Sequence, residues 1–495
     1  MPTLSTINIL FIASEADPFV KIGGLADVAG SLPHALKEIV NSNTQAELNI
    51  DIRLVIPYHP NIRHDLYAPQ LVATFPIRAL DAEIPVKAYT FEHGGLPVYL
   101  IAGEPIDQET GVYSANLEAD GYKYVFFSLA CLELARQLNW KPNILHANDW
   151  HTATSVYSLA LHRSEDAFFS QTKSLLTVHN LPYLGSMTPP AMDAFGLPAA
   201  EDSDLPSWAT QMALPLGLLA ADKIVAVSPG YANEILTEEF GSGLGAFLSA
   251  HSTKICGILN GLDTYKWDPA TDKELAANFT SDNLQARFIN KTFLQEEMGL
   301  ETNPGIPLLA MVTRMDPQKG VDLAVEAMHS LLRHSATNTQ PIQMIFLGTG
   351  NPVLESEVRM LEHDYPQSVR ARIAFNEQMS HHIYAGADIL LMPSRYEPCG
   401  LSQMIAMRYG CVPIARATGG LSDTIHDPES SEQSTGFLFK PAKSEALVNA
   451  IHRALFLFNQ GPTKWQALQL HGMHQDFSWA CSAREYLKQY MSLMG

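Results

Sequence analysis

Twice along this chain, short and nearly unbroken apolar runs alternate with amphipathic segments, and each run stops at a polar or glycine-rich turn. In the first half the runs are "INILFIAS", "IDIRLVIP", "NILHAN", "SLLTVHN" and "ADKIVAVS". From about residue 305 they are "PLLAMVT", "IQMIFLG", "ARIAF", "DILLMP", "VPIA" and "GFLF". A strand that is apolar on both faces has to be covered on both faces, which a parallel sheet with helices on either side provides. Helical segments from about Leu25 to Val40, around 121–139, and in "VDLAVEAMHSLLRH" and "LSQMIAMRYG" supply that cover. The runs "VKAYTFE" and "LPVYLIAG", joined through His93-Gly94-Gly95, predict a hairpin inserted in the first sheet. The fold class expected is α/β, with two doubly wound, Rossmann-like domains facing a deep cleft. The break between them is expected within 255–305, where "NGLDTYKWDP" and "NPGIP" supply turn residues.

At 495 residues the chain is too long for one ordinary core. Lys plus Arg is 32 against 52 for Asp plus Glu, so 32 − 52 gives a net charge of −20. Nucleic acid and anionic membranes demand a basic footprint, so neither is expected as a partner. Any anionic ligand has to be met by a few local cations. An acidic surface suits monomer and oligomer alike. No apolar run approaches the roughly 20 residues that span a bilayer. The first apolar run has no basic segment ahead of it, as a secretory signal would. The five cysteines (Cys131, Cys256, Cys399, Cys411, Cys481) form no CxxC pair. A reducing compartment is expected, the cytoplasm or, in a plant or alga, the plastid.

In open α/β sheets ligands bind beyond the carboxyl ends of the strands. Those ends deliver Lys21-Ile22-Gly23-Gly24, His146 to His151, His179-Asn180 and Ser228-Pro229 in the first half. In the second half they deliver Arg314 to Gly320, Gly348-Thr349-Gly350, Arg395 to Gly400 and Thr418 to Thr424. Arg314 and Lys319 flank the turn "RMDPQKG" just before a helix, where two cations and free amides suit a diphosphate. A surface turn with two solvated cations is the plainer alternative. Glu397 in "SRYEPCG" can accept from sugar hydroxyls and balance positive charge on a sugar ring, or serve only as a helix-start acid. Cys399 has no histidine near it in sequence and is expected to pack. His146, Asp149 and His151 are metal-ligand types, but at a strand end and without a second cluster they carry little weight as a metal site. His381 and His382, if helical, point apart. "GTGNPV" puts Val353 where a dinucleotide fingerprint needs a small residue, and no acid follows at the right distance.

The motifs "KIGGLADV", "HANDWH", "TVHN", "ILNGLD", "TRMDPQKG", "HHIYAGADILLMPSRYEPCGL" and "TGGLSDT", in that order, resemble the bacterial glycogen synthases and plant starch synthases, glucosyltransferases of the GT-B fold. The resemblance runs over nearly the whole chain. It implies an N-terminal, acceptor-side domain of residues 1–258 with 476–495 packing back onto it, and a nucleotide-sugar domain of 259–475. It implies retaining transfer of glucose from ADP-glucose to the non-reducing end of an α-1,4-glucan, with neither a metal nor pyridoxal phosphate. Lys21, Gly23 and Gly24 are then expected over the donor phosphates that Arg314 and Lys319 hold, with Asp27 near the sugar or acceptor. His151 and Asn260 are expected to position the donor glucose, and Glu397 to contact its hydroxyls. Amides at Gly419 and Gly420 are expected on phosphate, with Leu421 and Thr424 beside them. One departure stands out: where the family has D-N-x-x-R-F-x-F-F, this chain reads "ADGYKYVFF", with Lys123 in the arginine's position. Another GT-B transferase or a phosphorylase, and a catalytically dead glucan-binding protein, are the alternatives.

Overall fold

The computed structural model describes residues 5–42, 48–335 and 341–495. The chain divides into two compact units: one runs to Gly261 and takes up Trp479–Gly495 again at the end, and the other is Leu262–Ser478.

The first unit is built on a nine-stranded sheet. Its strands are β1 (Ser5–Ile12), β2 (Leu48–Pro57), β3 (Gln70–Arg78), β4 (Glu83–His93), β5 (Leu96–Ala102), β6 (Ile144–Asn148), β7 (Lys173–Val178), β8 (Lys223–Ala226) and β9 (Ile255–Gly257). They stand in the order β3-β4-β5-β2-β1-β6-β7-β8-β9. All neighbours are parallel except β3–β4 and β4–β5. The expected hairpin is β4–β5, closed by Gly94 and Gly95 at φ 55° and 76°, a two-residue turn that glycine enters without strain. The parallel strands β5-β2-β1-β6-β7-β8 follow the doubly wound order, which reverses direction between β1 and β6.

The helix Gly24–Ser42 covers one face of this sheet, burying Leu25, Val28, Leu32 and Leu36. Beside it lies the terminal helix Trp479–Met494, whose Trp479, Ala483, Tyr486 and Tyr490 recur at helical spacing and enter the same core. Tyr490 also reaches the sheet itself, with its hydroxyl 2.6 Å from His146 Nδ1.

The second unit is a six-stranded, all-parallel sheet of β10 (Leu308–Val312), β11 (Gln343–Gly348), β12 (Val369–Ile373), β13 (Ile389–Met392), β14 (Val412–Arg416) and β15 (Phe437–Phe439). Its order, β12-β11-β10-β13-β14-β15, reverses between β10 and β13. Helices Val321–Ser335 and Ser444–Asn459 bury Val321, Met328, Leu447 and Ile451 against Leu309, Met311 and Phe346. The segment after Leu262 is anchored to this unit by Asp272, whose carboxylate binds His381 Nδ1 and accepts from the Tyr409 hydroxyl, both at 2.6 Å. His382 turns instead to Glu297, at 2.9 Å, so the two histidines do point apart.

Candidate active site

In the second unit the loops after β10 and β13, the two strands of the reversal, meet through backbone and side-chain hydrogen bonds and a partly buried ion pair. Lys319 Nζ donates to both carboxylate oxygens of Glu397, at 2.8 and 2.7 Å, and Ser394 Oγ donates to the same carboxylate at 3.0 Å. Glu397 is buried while Lys319 remains partly open. Arg314, in the same turn as Lys319, is exposed and forms no ion pair among the described residues. Arg395 is occupied elsewhere, forked onto Asp322 at 2.9 and 2.6 Å. The cluster therefore holds one compensated cation and one uncompensated cation.

The "TGGLSDT" segment lies against this cluster. The Gly420 amide donates to the Glu397 carbonyl at 3.1 Å, and the Leu421 amide to the Thr418 carbonyl at 3.1 Å. Leu421 is a core residue packed with Met407, Ala415 and Ile425. The Thr424 hydroxyl donates to the Gly420 carbonyl at 2.7 Å. A Cβ on Gly419 would stand 2.1 Å from the Glu397 carbonyl oxygen, and one on Gly420 2.2 Å from that of Cys399. The glycines let this segment press on the loop that carries Glu397. Cys399 is buried as expected.

In the first unit the reversal lies between β1 and β6. The loop after β1 folds over Glu15, which accepts from the amides of Ile22 and, at 3.1 Å, Gly23. Burial lifts the Glu15 carboxyl above its ordinary range despite those bonds. The Gly23 amide is therefore taken by an internal carboxylate. Gly24, the first residue of its helix, has open space around it, and a first helical amide has no acceptor within the helix. Lys21 is exposed and bridges Asp17 at 3.3 Å and Asp27 at 2.5 Å. Burial of its ammonium opposes the charge, but Asp27 and Asp17 outweigh it and hold the lysine above its usual pKa.

After β6, Asp149 adopts φ +55° and its carboxylate accepts from the amides of His179 and Asn180, at 2.7 and 3.3 Å. Burial pushes its pKa up to about 7. Asn148 binds the Ile12 carbonyl at 2.9 Å and His179 Nε2 at 2.9 Å, tying the ends of β1, β6 and β7 together. His151 is enclosed by the rings of Tyr113, Tyr124 and Trp150, and burial holds it neutral. Its Nδ1 and the side-chain oxygens of Asn180 and Asn260 are buried without a partner. His146 has both ring nitrogens engaged, by Tyr490 and by Thr177 at 2.8 Å. Among the described residues no group of three or more His, Cys, Asp or Glu is placed to hold a metal ion.

Two features escaped the sequence reading. Glu15 and Tyr113 carry no motif of their own. Phe375, just past the end of β12, is 88% exposed at the carboxyl edge of the second sheet. Lys123, in the family arginine's position, is fully buried, paired with Asp120 at 2.6 Å and bound to the Val112 carbonyl at 2.7 Å.

Comparison with known proteins agrees with this geometry. Residues 8–250 match the family model described as starch synthase catalytic domain, and residues 296–457 that of glycosyl transferases group 1. The chain is 38% identical to the glycogen synthase of Anaeromyxobacter sp. (strain Fw109-5), over 98% of this chain and 99% of that one. It is 37% identical to the glycogen synthase of Thermotoga maritima, over 98% of each. The catalytic domain of starch synthase IV from Arabidopsis thaliana, solved with ADP and acarbose, matches with a TM-score of 0.86 at 30% identity, covering 99% of this chain and 100% of that one. A sucrose-phosphate synthase from Thermosynechococcus elongatus, at TM-score 0.60 and 18% identity, shares the fold. The chain belongs to the glycogen and starch synthase family, glucosyltransferases of the GT-B fold that use a nucleotide sugar and a glucan acceptor.

Proposed function

We propose that this chain transfers glucose from ADP-glucose to the non-reducing end of an α-1,4-glucan, with retained configuration and without a metal ion. The observation that carries the reading is the Arg314, Lys319 and Glu397 cluster at the strand reversal of the second unit. On donor binding Lys319 exchanges its bond to Glu397 for the diphosphate, and Arg314 adds the second cation. Glu397 then turns its carboxylate to the sugar hydroxyls. Two fixed cations stabilise the departing diphosphate as its charge develops, a contribution on the order of several kcal/mol. Phe375 offers an exposed ring at the same sheet edge for the nucleobase. In the first unit Lys21, Gly24 and Asp27 serve the donor from the β1 loop, Gly23 lets the backbone turn beside them, and His151 and Asn260 orient the glucose. The bond from the anomeric carbon to the diphosphate breaks and one to the acceptor O4 forms, and the hydroxyl proton leaves with the diphosphate. The ADP-bound starch synthase IV supports the adenine nucleotide.

The test is incorporation of glucose into glycogen from ADP-glucose and UDP-glucose side by side, with EDTA throughout. Wild type is expected to work with EDTA and to prefer ADP-glucose, and Arg314→Ala to lose most activity at unchanged stability. Lys319→Ala should lose activity too, but it also strands the buried Glu397, so Arg314→Ala is the cleaner variant. Binding of glucan with no turnover of either donor would overturn the enzyme reading in favour of a binding protein.

A further inference from the structure

The loop that carries Lys21 is held by polar contacts to one buried carboxylate that no donor-binding role explains. Glu15 is 1% exposed and receives three donors: the amides of Ile22 and Gly23, and the Tyr113 hydroxyl at 2.9 Å. Tyr113 is itself fixed. Its hydroxyl lies 3.2 Å from Ser14 Oγ, and its ring 5.0 Å from that of His151. The preceding carbonyl, that of Val112, accepts from Lys123 Nζ at 2.7 Å and from the Tyr124 hydroxyl at 2.5 Å. On the other side of Tyr113, the Ser114 amide donates to Asp120 at 2.8 Å, and Asp120 is the partner of Lys123. Tyr113 is thus clamped from both neighbours.

Burying a carboxylate is costly unless its oxygens are used, and a turn that needed only flexibility could be built from glycine alone. A buried anion with three donors does something more specific, since it fixes the direction of two consecutive amides and with them the backbone on either side. We propose that Glu15, braced by Tyr113, is a positioning residue for donor binding. It presets the Lys21–Gly24 backbone in the conformation that meets the diphosphate, so that binding does not have to order it. The amides of Ile22 and Gly23 stay with Glu15, and the donor meets Lys21 and the open backbone at Gly24. The Lys123–Asp120 pair serves as the far end of the brace rather than as a ligand site. This inference rests on the reading of Lys21 as a donor ligand.

The experiment compares wild type, Glu15→Ala, Glu15→Gln, Tyr113→Phe and Arg314→Ala by calorimetric titration with ADP, by titration with maltoheptaose, and by steady-state kinetics. Glu15→Ala is expected to weaken ADP binding and raise the donor KM about tenfold, with maltoheptaose affinity unchanged. Glu15→Gln, whose amide oxygen still accepts from both backbone N–H groups, should recover most of the loss, and Tyr113→Phe should fall between. If Glu15→Ala binds ADP like wild type while Arg314→Ala does not, the brace is wrong and the donor reading survives. If wild type fails to bind ADP, or Arg314→Ala has no effect on it, the donor reading fails and takes the brace with it. A Glu15→Ala loss that Glu15→Gln does not relieve, or that extends equally to maltoheptaose, marks general loosening and also overturns the proposal. Should Glu15→Ala not fold, Tyr113→Phe, which removes one hydroxyl, decides the matter on the same ADP titration.

Discussion

At Asp149 the backbone turns through φ +55°, which aspartate and asparagine tolerate better than most side chains, and sets a buried carboxylate under two amides. Those amides favour the charged form, but burial wins, and the pKa rises to about 7. The folded pKa lies above the unfolded one, so between about 4 and about 7 the folded state holds a proton that the unfolded chain has released. Stability from this group is full below that window and is lost as pH rises through it. His59 and His179, held down to about 4 and about 3 by burial, have the opposite sign, losing stability as pH falls below the ordinary histidine value. Asp149→Asn keeps an acceptor and suits the positive φ, and it removes only the first effect. The variant is expected to melt higher than wild type near pH 8, by about 1.4 kcal/mol for every tenfold difference in proton affinity between the folded and unfolded carboxyl, and to converge with it near pH 4. Thermal melts of both proteins across that range check it. The sequence shows an acid at 149 but neither its dihedral angle nor its burial, which is why it read there as a weak metal-ligand candidate.

Of the three Gly-Gly-Leu stretches in the chain, the two that lead into helices, at 23–25 and 419–421, do different work. Around Gly24 there is open space, whereas a Cβ at Gly420 would stand 2.2 Å from the Cys399 carbonyl oxygen. Gly420→Ala is therefore expected to cost about 2–4 kcal/mol of stability and to disturb Glu397 with it. Gly24→Ala should leave the melting temperature unchanged and raise the donor KM, because the new methyl meets only the ligand. Melting curves and donor kinetics on the two variants separate these outcomes. The strand ends that deliver Lys21, Arg314, Lys319 and Glu397 were legible because an unbroken apolar run ends sharply in charge. The partners of the glycine amides were not, since Glu15 and the Glu397 carbonyl are brought to them only by the folded chain. β3 went unread because its residues are mostly exposed and Pro76 interrupts it, as suits an edge strand paired only with β4. β9 is only three residues long.

Taken whole, a chain of net charge −20 can hold a diphosphate only through a few local cations, such as those proposed above, and neutral glucan asks nothing of that charge. Raising ionic strength is expected to weaken ADP binding while leaving maltoheptaose affinity nearly unchanged, which paired titrations in low and high salt would show. Each unit has its own core, and that of the first includes Trp479, Ala483, Tyr486 and Tyr490 from the end of the sequence. A chain stopped at Ser478 is expected to lose the cooperative melting of the first unit and keep that of Leu262–Ser478, a difference that calorimetry resolves. The same return of the chain imposes a schedule on synthesis. A ribosome adding roughly 5–20 residues per second makes all of the second unit, over on the order of 10–40 s, before the helix that completes the first exists. Through that interval the Gly24–Ser42 helix stands with an apolar flank bare, so the unit begun first is finished last.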